Sequence, residues 1–450
     1  MSEELLIAIN DSFDPYKPLL ADDPRYVDCH EVRGERDILI SLGNPILRSK
    51  QNVCRLYTGH RGNGKSTELL WLQKHLESNN CLAVYFAAEE KDIEPENTQY
   101  TDILLACTKH LIEAVKQANS DALRDWLIAR WQDLKGILLT EIEIDKMGIE
   151  VQLAQFGKMT ASIKSSPNQR QAIRDKLEPH TVSLREALNE FIRDAKLNLP
   201  DGKKRIVVIA DNLDRITIID RGNGKTNYDE IFLDRASFLK GLECDVIYTI
   251  PIALAYSSRA TDLQDLYGSP EILPMVTTRN RDRQIHDPGL NQMISVIQKR
   301  VSQLTTKSLV PDIFETNEIV LELCLMSGGH MRTLMSIVQA TITNINNFPI
   351  TQSAIRQGMT KLRGDYRRAI EDNEHNEWEL LARTTITGRI ENNSKYRKLL
   401  LNRCILQYGY MDGDEFLPWY NVHPLIMGIA QYIDALAKVR TDMERANASK

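Results

Sequence analysis

Residues 58–70 read T-G-H-R-G-N-G-K-S-T-E-L-L, and the spacing of their side chains suits phosphate binding. Gly59, Gly64, Lys65 and Ser66 fit the pattern G-x-x-x-x-G-K-[ST]. Glycines in such a loop let backbone N–H groups surround phosphate oxygens at the positive end of a helix dipole. The Lys65 ammonium would reach the β and γ phosphates, and the Ser66 hydroxyl would bind Mg²⁺. The pattern therefore predicts a nucleotide-phosphate site, and its alternative is a chance glycine-rich turn.

The flanking residues predict the strand and the helix that such a loop requires. Residues 53–57 form a short apolar, β-prone run ahead of the loop. Residues 67–76 repeat apolar side chains at helical spacing after it. We therefore expect every residue between the two elements to lie near the nucleotide. These candidates are Gly59, His60, Arg61, Gly62, Asn63, Gly64, Lys65, Ser66 and Thr67.

A near copy of the loop occurs later in the chain and acts as an internal control. Residues 221–226 read R-G-N-G-K-T, but Ile219 stands where the pattern requires its first glycine. The residues that follow, 227–230, do not continue at once as an apolar helix. This copy predicts a surface turn and not a second nucleotide site.

Two further apolar runs end in polar side chains. Residues 206–210 are continuously apolar and lead directly into Asp211, which is typical of a buried parallel strand that ends in a carboxylate. Such a carboxylate can hold Mg²⁺ and its waters against a nucleotide, and the alternative is a helix or turn cap. Residues 246–250 contain Thr249 near their end. Thr249 is placed to contact a γ-phosphate or an attacking water, or is simply a threonine at a strand end.

The order of the elements predicts an α/β fold with a parallel, doubly wound sheet. Further strands are expected at residues 82–87 and 272–276, and Pro274 favours an edge position for the latter. Residues 141–164 alternate polar and apolar side chains, which predicts a β-hairpin. Helices are expected at residues 101–115, 122–138, 168–177, 181–197, 290–304, 319–326 and 333–345.

The C-terminal part predicts a winged helix. A helical segment at residues 396–402 precedes an apolar run, an Asp-Gly turn at residues 411–414 and a second apolar run. A helix followed by a two-stranded ribbon is how a winged helix ends.

Composition limits the class of protein. The 450 residues are 42% hydrophobic and 26% charged, as in ordinary globular domains. No apolar run reaches the length of a membrane span, and residues 1–10 lack the basic start of a signal peptide, so we expect a cytoplasmic protein without membrane contact. Its seven cysteines are dispersed and predict neither a disulfide framework nor a metal site. The net charge of −6 argues against a globally basic nucleic-acid binder.

These landmarks, in this order, resemble the AAA+ ATPases. The similar branch is the one shared by the STAND and KAP signalling NTPases and by the origin-recognition and transposition-regulator ATPases. The resemblance covers residues 33–332, and the winged helix extends it to about residue 423. It implies ATP and Mg²⁺ as cofactors, with residues 59–66 as the Walker A loop, Asp211 as the Walker B acid and Ser66 and Asp211 as the residues that hold the metal.

The resemblance also implies roles for residues outside these two motifs. Thr249 corresponds to sensor 1. The sequence G-G-x-x-R that ends at Arg332 looks like sensor 2, which places Arg332 at the γ-phosphate. Arg33 and Gly34 resemble the segment that lies beside the adenine.

One departure from the family affects the expected rate. AAA+ hydrolases usually have a glutamate directly after the Walker B acid, and Asn212, which cannot accept a proton, stands there. Asp214 resembles the second acid of the STAND and KAP proteins and could orient the attacking water. We therefore expect slow hydrolysis. AAA+ sites are usually completed by an arginine from a neighbouring subunit, and the candidates are Arg235, Arg259, Arg279 and Arg300.

The expected fold class is an AAA+/STAND-like P-loop NTPase core with a helical lid and a C-terminal winged helix. The expected domains are a lead-in segment at 1–34, the core at 35–285 with the hairpin inserted at 141–164, the lid at 286–350, the winged helix at 351–436 and a tail at 437–450.

The expected function is an oligomerising, nucleotide-controlled ATPase switch that acts on a separate effector protein. Family analogy adds bacterial conflict and antiviral defence. A second hypothesis is a winged-helix DNA-binding regulator or loader, supported by the basic residues within 361–368. A third is a nucleotide-bound scaffold that hydrolyses slowly or not at all, which Asn212 favours.

Overall fold

The computed structural model describes residues 3–116, 118–138, 148–199, 202–222, 224–371 and 377–448. The chain divides into two compact units. The loop unit comprises residues 1–37, 59–67 and 272–450, and the strand unit comprises residues 38–58 and 68–271. Among the described residues, no helix combines the length and the apolar character needed to cross a bilayer.

The strands of the described residues are, in chain order, β1 Cys54–Gly59, β2 Cys81–Ala87, β3 Arg205–Asp211, β4 Asp220–Gly222, β5 Lys225–Thr226, β6 Asp245–Thr249, β7 Glu271–Leu273, β8 Ile405–Asp412 and β9 Glu415–Val422. The α-helices are α1 Glu3–Ser12, α2 Asn44–Arg48, α3 Lys65–Ser78, α4 Ala88–Lys91, α5 Tyr100–Ala114, α6 Asp121–Leu138, α7 Ile149–Ser165, α8 Pro167–Leu177, α9 Thr181–Leu197, α10 Asn227–Asp229, α11 Ala236–Lys240, α12 Ile252–Ala255, α13 Ala260–Tyr267, α14 Asp287–Ser302, α15 Asn317–Met326, α16 Met331–Ile342, α17 Gln352–Glu371, α18 Glu377–Thr387, α19 Ser394–Leu401, α20 Pro424–Met427 and α21 Ala430–Ala448.

Five strands form the central sheet, in the order β2-β3-β6-β1-β7. The pairs β2–β3, β3–β6 and β6–β1 are parallel. The apolar runs of β3 and β6 are buried throughout, as expected for strands that are covered on both faces. The predicted strands are confirmed, except that β7 includes only residues 272–273 of the run predicted at 272–276; it lies at the sheet edge and ends directly before Pro274. Pro274 cannot donate a backbone hydrogen bond to a sheet, which explains this position.

A helical region, α5 to α9, lies in the chain between β2 and β3 and packs within the strand unit. The predicted hairpin at 141–164 is wrong for residues 149–164, which lie in α7, and residues 141–147 lie outside the described residues. Phe156, Met159 and Ile163 are buried at helical spacing and belong to the core that contains side chains of α5. The alternation was misread because the burial of α7 follows a period near 3.6 residues and not a period of two.

The loop unit contains a second hydrophobic core, formed largely by α14 to α17. Near its C-terminus, α18 and α19 precede the antiparallel hairpin β8–β9. Asp412 pairs with Glu415, so Gly413 and Asp414 form a two-residue turn, in which Gly413 has a φ of 62°. The predicted ribbon with an Asp-Gly turn is confirmed.

The near copy of the loop lies on the exposed strands β4 and β5, where Gly222 pairs with Lys225. The predicted surface turn is therefore confirmed. The short helix α10 does begin directly after it, contrary to expectation. This helix starts from a capping box between Thr226 and Asp229 and not from a glycine-rich loop.

Candidate nucleotide-binding site

The predicted geometry of strand, loop and helix is present at residues 59–66, called the phosphate loop below. Strand β1 ends at Gly59 and helix α3 begins at Lys65. Gly59, Gly62 and Gly64 have φ values of 150°, 87° and 99°, which residues with a side chain rarely adopt. The backbone of the loop thus favours glycine at the two motif positions and at the variable position 62, and these glycines let its N–H groups lie close to a bound anion.

The Lys65 side chain is buried and folds back over the loop. Its Nζ donates to the carbonyl oxygens of Gly59 at 3.0 Å and of His60 at 3.2 Å. A phosphate oxygen at the loop would compete with these carbonyls for the ammonium group. Ser66 follows in the first turn of α3 and is partly exposed. The Thr67 hydroxyl accepts a hydrogen bond from the backbone N–H of Leu19 at 3.1 Å.

Arg33 and Asn63 brace the phosphate loop from within the loop unit. Asn63 Nδ2 donates to the carbonyls of Leu273 at 3.0 Å and Pro274 at 2.8 Å. The buried Arg33 guanidinium donates to the carbonyls of Asn63, at 3.0 Å, and Pro274. Arg33 therefore supports the loop, a role that the sequence did not suggest. Gly34, with a φ of 75°, ends the turn of helix that contains Arg33, and the place of both residues beside an adenine stays a prediction.

The first turn of α16 lies against the phosphate loop. The Arg332 backbone N–H donates to the Gly62 carbonyl at 2.9 Å, and His330 Nε2 lies 2.8 Å from the Arg61 carbonyl oxygen. The Arg332 Nε donates to the Pro15 carbonyl at 3.1 Å, and its guanidinium lies 5.2 Å from the Tyr16 ring. The structure thus brings Arg332 to the loop, whereas its contact with a γ-phosphate stays a prediction.

His60 connects the phosphate loop to the C-terminal elements of the same unit. Its Nδ1 lies 3.1 Å from the Leu400 carbonyl oxygen, and its Nε2 lies 3.0 Å from the backbone nitrogen of Gln407. Burial lowers the pKa of His60 to about 3, so the ring is neutral at pH 7. The motif includes His60 only as a variable position, so the pattern contained no signal for this contact.

Asp211 lies at the end of β3 in the strand unit and is almost fully buried. The Tyr85 hydroxyl donates to its Oδ2 at 2.8 Å, and the Asn212 N–H donates to its Oδ1 at 2.7 Å. These bonds fix the orientation of the carboxylate. Sequence reasoning missed Tyr85, although β2 was predicted, because strand register decides which side chain lies beside the acid.

Thr249 and Asn212 shape the turn that follows β3. The Thr249 Oγ1 accepts from the backbone N–H of Leu213 at 3.0 Å. Asn212 has a φ of 63°, a left-handed conformation in which asparagine is one of the few tolerated residues with a side chain. Asp214 lies in the single turn of helix that begins at Leu213 and is buried. Thr249 is therefore a structural support of this turn, and its sensor role stays a prediction.

Both predicted metal ligands, Ser66 and Asp211, offer oxygen atoms. Mg²⁺ prefers oxygen ligands and usually takes one or two from the protein, with water and substrate phosphates for the rest. Ser66 in the loop unit supplies a hydroxyl and Asp211 in the strand unit supplies an oriented carboxylate. Each residue is thus chemically suited to the predicted metal role.

Residues 48–220 match the model of the KAP family P-loop domain. The match includes the phosphate loop, the parallel strands β1 to β3 and Asp211. The chain has the P-loop NTPase fold. In P-loop NTPases, the backbone of such a loop and its lysine hold the β and γ phosphates.

Solved structures with similar folds cover almost the whole P-loop NTPase chain. Cdc6p from Pyrobaculum aerophilum is 12% identical, with 95% of this chain and 98% of that chain covered and a TM-score of 0.40. A Walker-type ATPase of Pyrococcus abyssi is 13% identical, with 95% and 99% covered and a TM-score of 0.44. The ORC1 protein of Aeropyrum pernix, solved in complex with DNA, is 10% identical, with 96% of each chain covered and a TM-score of 0.39. Among curated proteins, none matches the sequence at a significant level.

Proposed function

We propose that this P-loop NTPase binds ATP with Mg²⁺ at the phosphate loop, hydrolyses it slowly and uses the bound nucleotide as a switch. The observation that carries the proposal is the loop itself. Its three glycines have positive φ, which lets backbone N–H groups approach an anion. Lys65 adds a positive charge at the loop, where its Nζ donates to two carbonyl oxygens.

Each site residue has a stated role in this proposal. Lys65 exchanges its carbonyl partners for the β and γ phosphates. Ser66 and Asp211 hold Mg²⁺, which neutralises charge on the phosphates when it is bound. Arg332 contacts the γ-phosphate, and Asp214 orients the attacking water with Thr249 nearby.

The slow rate follows from the turn after β3. The residue after the Walker B acid must adopt a φ near 63°, where asparagine is tolerated and a glutamate would be strained. Asn212 therefore allows the left-handed backbone conformation of this turn, and its amide cannot act as a base. The buried Asp214 carboxylate, two residues further on, is the alternative base.

The proposed switch assembles into oligomers, with an arginine supplied by a neighbouring copy. Arg259 pairs with Asp234 at 2.8 Å and with Asp262 at 2.9 Å, so its charge is already engaged. The Arg300 guanidinium is partly buried and donates to the Val296 carbonyl at 3.2 Å, and burial lowers its pKa to about 10. Arg235 pairs with Glu178 at 3.4 Å, so the exposed Arg279 is the better candidate for this contact.

ATP turnover and mant-ATP binding by the purified protein, beside the Lys65→Ala variant, test the proposal. Loss of the Lys65 ammonium should abolish measurable turnover and weaken binding about 100-fold. The matched control is Lys225→Ala, because Lys225 has the same local sequence on an exposed strand. Wild-type turnover by Lys65→Ala would contradict the proposal, and binding without turnover would favour a nucleotide-bound scaffold.

A second candidate function is binding of duplex DNA by the outward face of α17. Arg356, Lys361 and Arg367 are exposed on this helix, and Arg368 pairs with Asp365. The hairpin turn is unsuited to the same ligand, because Asp414 and Glu415 are exposed carboxylates beside it. The proposed DNA contact is therefore α17 and not the hairpin turn.

Binding of a fluorescent duplex at several salt concentrations tests this candidate. Reversing charge in Arg356→Glu and Lys361→Glu should weaken binding. Each variant should also reduce the slope of log K against log salt by about one for every phosphate that it no longer neutralises. The control is Arg193→Glu, an exposed arginine on α9. An equal loss of affinity in all variants would show a nonspecific charge effect and would contradict a site on α17.

A further inference from the structure

The buried His60 side chain hydrogen-bonds the phosphate loop to the C-terminal elements of the loop unit. A backbone carbonyl only accepts, so the His60 Nδ1 must donate its proton to the Leu400 oxygen, 3.1 Å away. A backbone N–H only donates, so Nε2 must accept from Gln407 at 3.0 Å. The ring is therefore the neutral Nδ1–H tautomer, and rotating it would break both bonds.

These bonds form part of a closed circuit through the loop. The Asn63 N–H donates to the His60 carbonyl at 3.2 Å, and the Asn63 side chain donates to the Pro274 carbonyl at 2.8 Å. The next residue along the chain, Met275, donates its N–H to the Gln407 carbonyl at 2.9 Å. The Gln407 N–H then returns the circuit to the His60 ring. These bonds connect the loop backbone at residues 60–63 to the first half of β8.

A second series of hydrogen bonds begins at the next residue of the loop, Arg61. His330 Nε2 donates to the Arg61 carbonyl at 2.8 Å, and its Nδ1 accepts from the Thr333 N–H at 3.2 Å. The Thr333 hydroxyl, 2.7 Å from Nδ1, therefore donates to it and accepts from His423 Nε2 at 3.3 Å. His423 Nδ1 accepts from the Leu425 N–H at 3.2 Å, which fixes its tautomer too. This chain of directed bonds joins the loop to the start of α20.

Lys65 connects the predicted phosphate position to the first series of hydrogen bonds. Its ammonium donates to the carbonyl of His60, the residue whose ring is hydrogen-bonded to Leu400 and Gln407. When phosphate takes this ammonium, the His60 backbone loses a charged donor and the loop is tied instead to the phosphate. The backbone of His60 thereby responds to ligand while its side chain contacts the C-terminal elements.

We propose that His60 is a positioning residue that couples nucleotide at the phosphate loop to the C-terminal segment 394–422, which contains α19 and the β8–β9 hairpin. The inference rests on the proposed nucleotide binding and names the route by which the C-terminal segment senses it. Phosphate binding orders the loop, holds the His60 ring on Gln407 more persistently, and protects the start of β8. The affinity of a partner that contacts this segment would then depend on whether nucleotide is bound.

Hydrogen exchange of the full-length protein tests the coupling, with and without ATPγS and with mant-ATP affinity measured in parallel. In the wild type, nucleotide should slow exchange in peptides that cover residues 402–410 by about tenfold. His60→Phe keeps a ring of similar volume without either hydrogen bond, and His60→Ala is the second variant. At ATPγS concentrations that saturate each variant according to its own mant-ATP affinity, both should lose the effect of nucleotide on residues 402–410. The control is His30→Ala, a histidine of the same unit outside the circuit, which should behave as the wild type.

The outcomes separate the inference from the function on which it rests. Wild-type protein that binds nucleotide without any change at residues 402–410 would overturn the coupling and leave the ATPase proposal intact. The same holds if both His60 variants keep the full response. Wild-type protein that does not bind mant-ATP would overturn the proposed function, and the coupling with it.

Discussion

The backbone N–H of Arg332 donates to the Gly62 carbonyl at 2.9 Å, and a Cβ atom added to Gly62 would lie 2.5 Å from the Arg332 Cβ. Real Cβ atoms do not approach so closely, so either the loop or α16 would have to move to admit a side chain. Gly62 stands at a variable position of the motif, and its close contact with α16 is therefore a separate reason for a glycine there.

Replacing Gly62 by alanine should weaken mant-ATP binding about tenfold or more, because the side chain displaces α16 from the loop. Gly222→Ala is the matched control, since Gly222 has a φ of 81° against 87° for Gly62, but a Cβ added there would meet no atom of the described residues within 4 Å. Both variants carry the strain of a left-handed alanine, roughly 1–2 kcal/mol, but only Gly62→Ala carries the clash. Equal nucleotide affinity in the two variants would show that the contact with Arg332 does not shape the site.

Asn212 should respond to substitution according to its backbone. Asn212→Gly should retain stability within about 0.5 kcal/mol, whereas Asn212→Ala should lose roughly 1 kcal/mol at a φ of 63°. Asn212→Glu should be destabilised as well, and its ATP turnover should not exceed that of the wild type. Denaturant unfolding and steady-state turnover measure these effects. Faster hydrolysis by the glutamate variant would show that this position lacks only a base.

Asp214→Asn should lower ATP turnover at least about tenfold while mant-ATP affinity changes little, because the amide cannot orient water as a base. Single-turnover hydrolysis separates this effect from product release. The exposed Asp220 is the control, and Asp220→Asn should keep wild-type turnover. Wild-type turnover by Asp214→Asn would remove Asp214 from the mechanism.

The lowered pKa values of two buried histidines, His60 and His423, predict that the protein loses stability in acid. Burial lowers the pKa of His60 and of His423 from 6.5 to about 3 in the folded state. Between these values the unfolded chain binds more protons than the folded chain, so the free energy of unfolding falls as the pH falls from 6.5. Each histidine contributes a slope of about 1.4 kcal/mol per pH unit within this range. The stability that they provide is complete above pH 6.5.

Urea unfolding between pH 7 and pH 5 measures this dependence in the wild type and in His60→Phe, where the slope should be shallower. His30→Gln is an informative control because the pKa of His30 is shifted upward, so its contribution to the free energy of unfolding changes with pH in the opposite direction. The Asp28 carboxylate raises the pKa of His30, so its contribution is present at low pH and is lost as the pH rises through the folded value. A slope unchanged by His60→Phe would show that this ring is not neutral in the folded protein.

The elements that sequence predicted correctly are those encoded by local pattern. The buried runs of β3 and β6, the glycine spacing of residues 59–66 and the Asp-Gly turn of the hairpin each follow from side chains a few positions apart. Helix α7 was misread for the same reason, because its alternation over a few residues resembles a strand and only tertiary burial reveals the helical period. The surface position of the copy at 221–226 was also readable, since it lacks the first glycine.

By itself, the sequence determined the fold class, the phosphate loop and the acid at the end of β3. Only the tertiary structure decided which residues support them. Tyr85 donates a hydrogen bond to Asp211, Arg33 donates one to the Asn63 carbonyl, and the His60 ring donates one to the carbonyl of Leu400, 340 positions away. A phosphate-binding pattern is local because one turn of backbone makes it. Its supports are not local, because the burial that makes each hydrogen bond selective arises only when distant segments pack together.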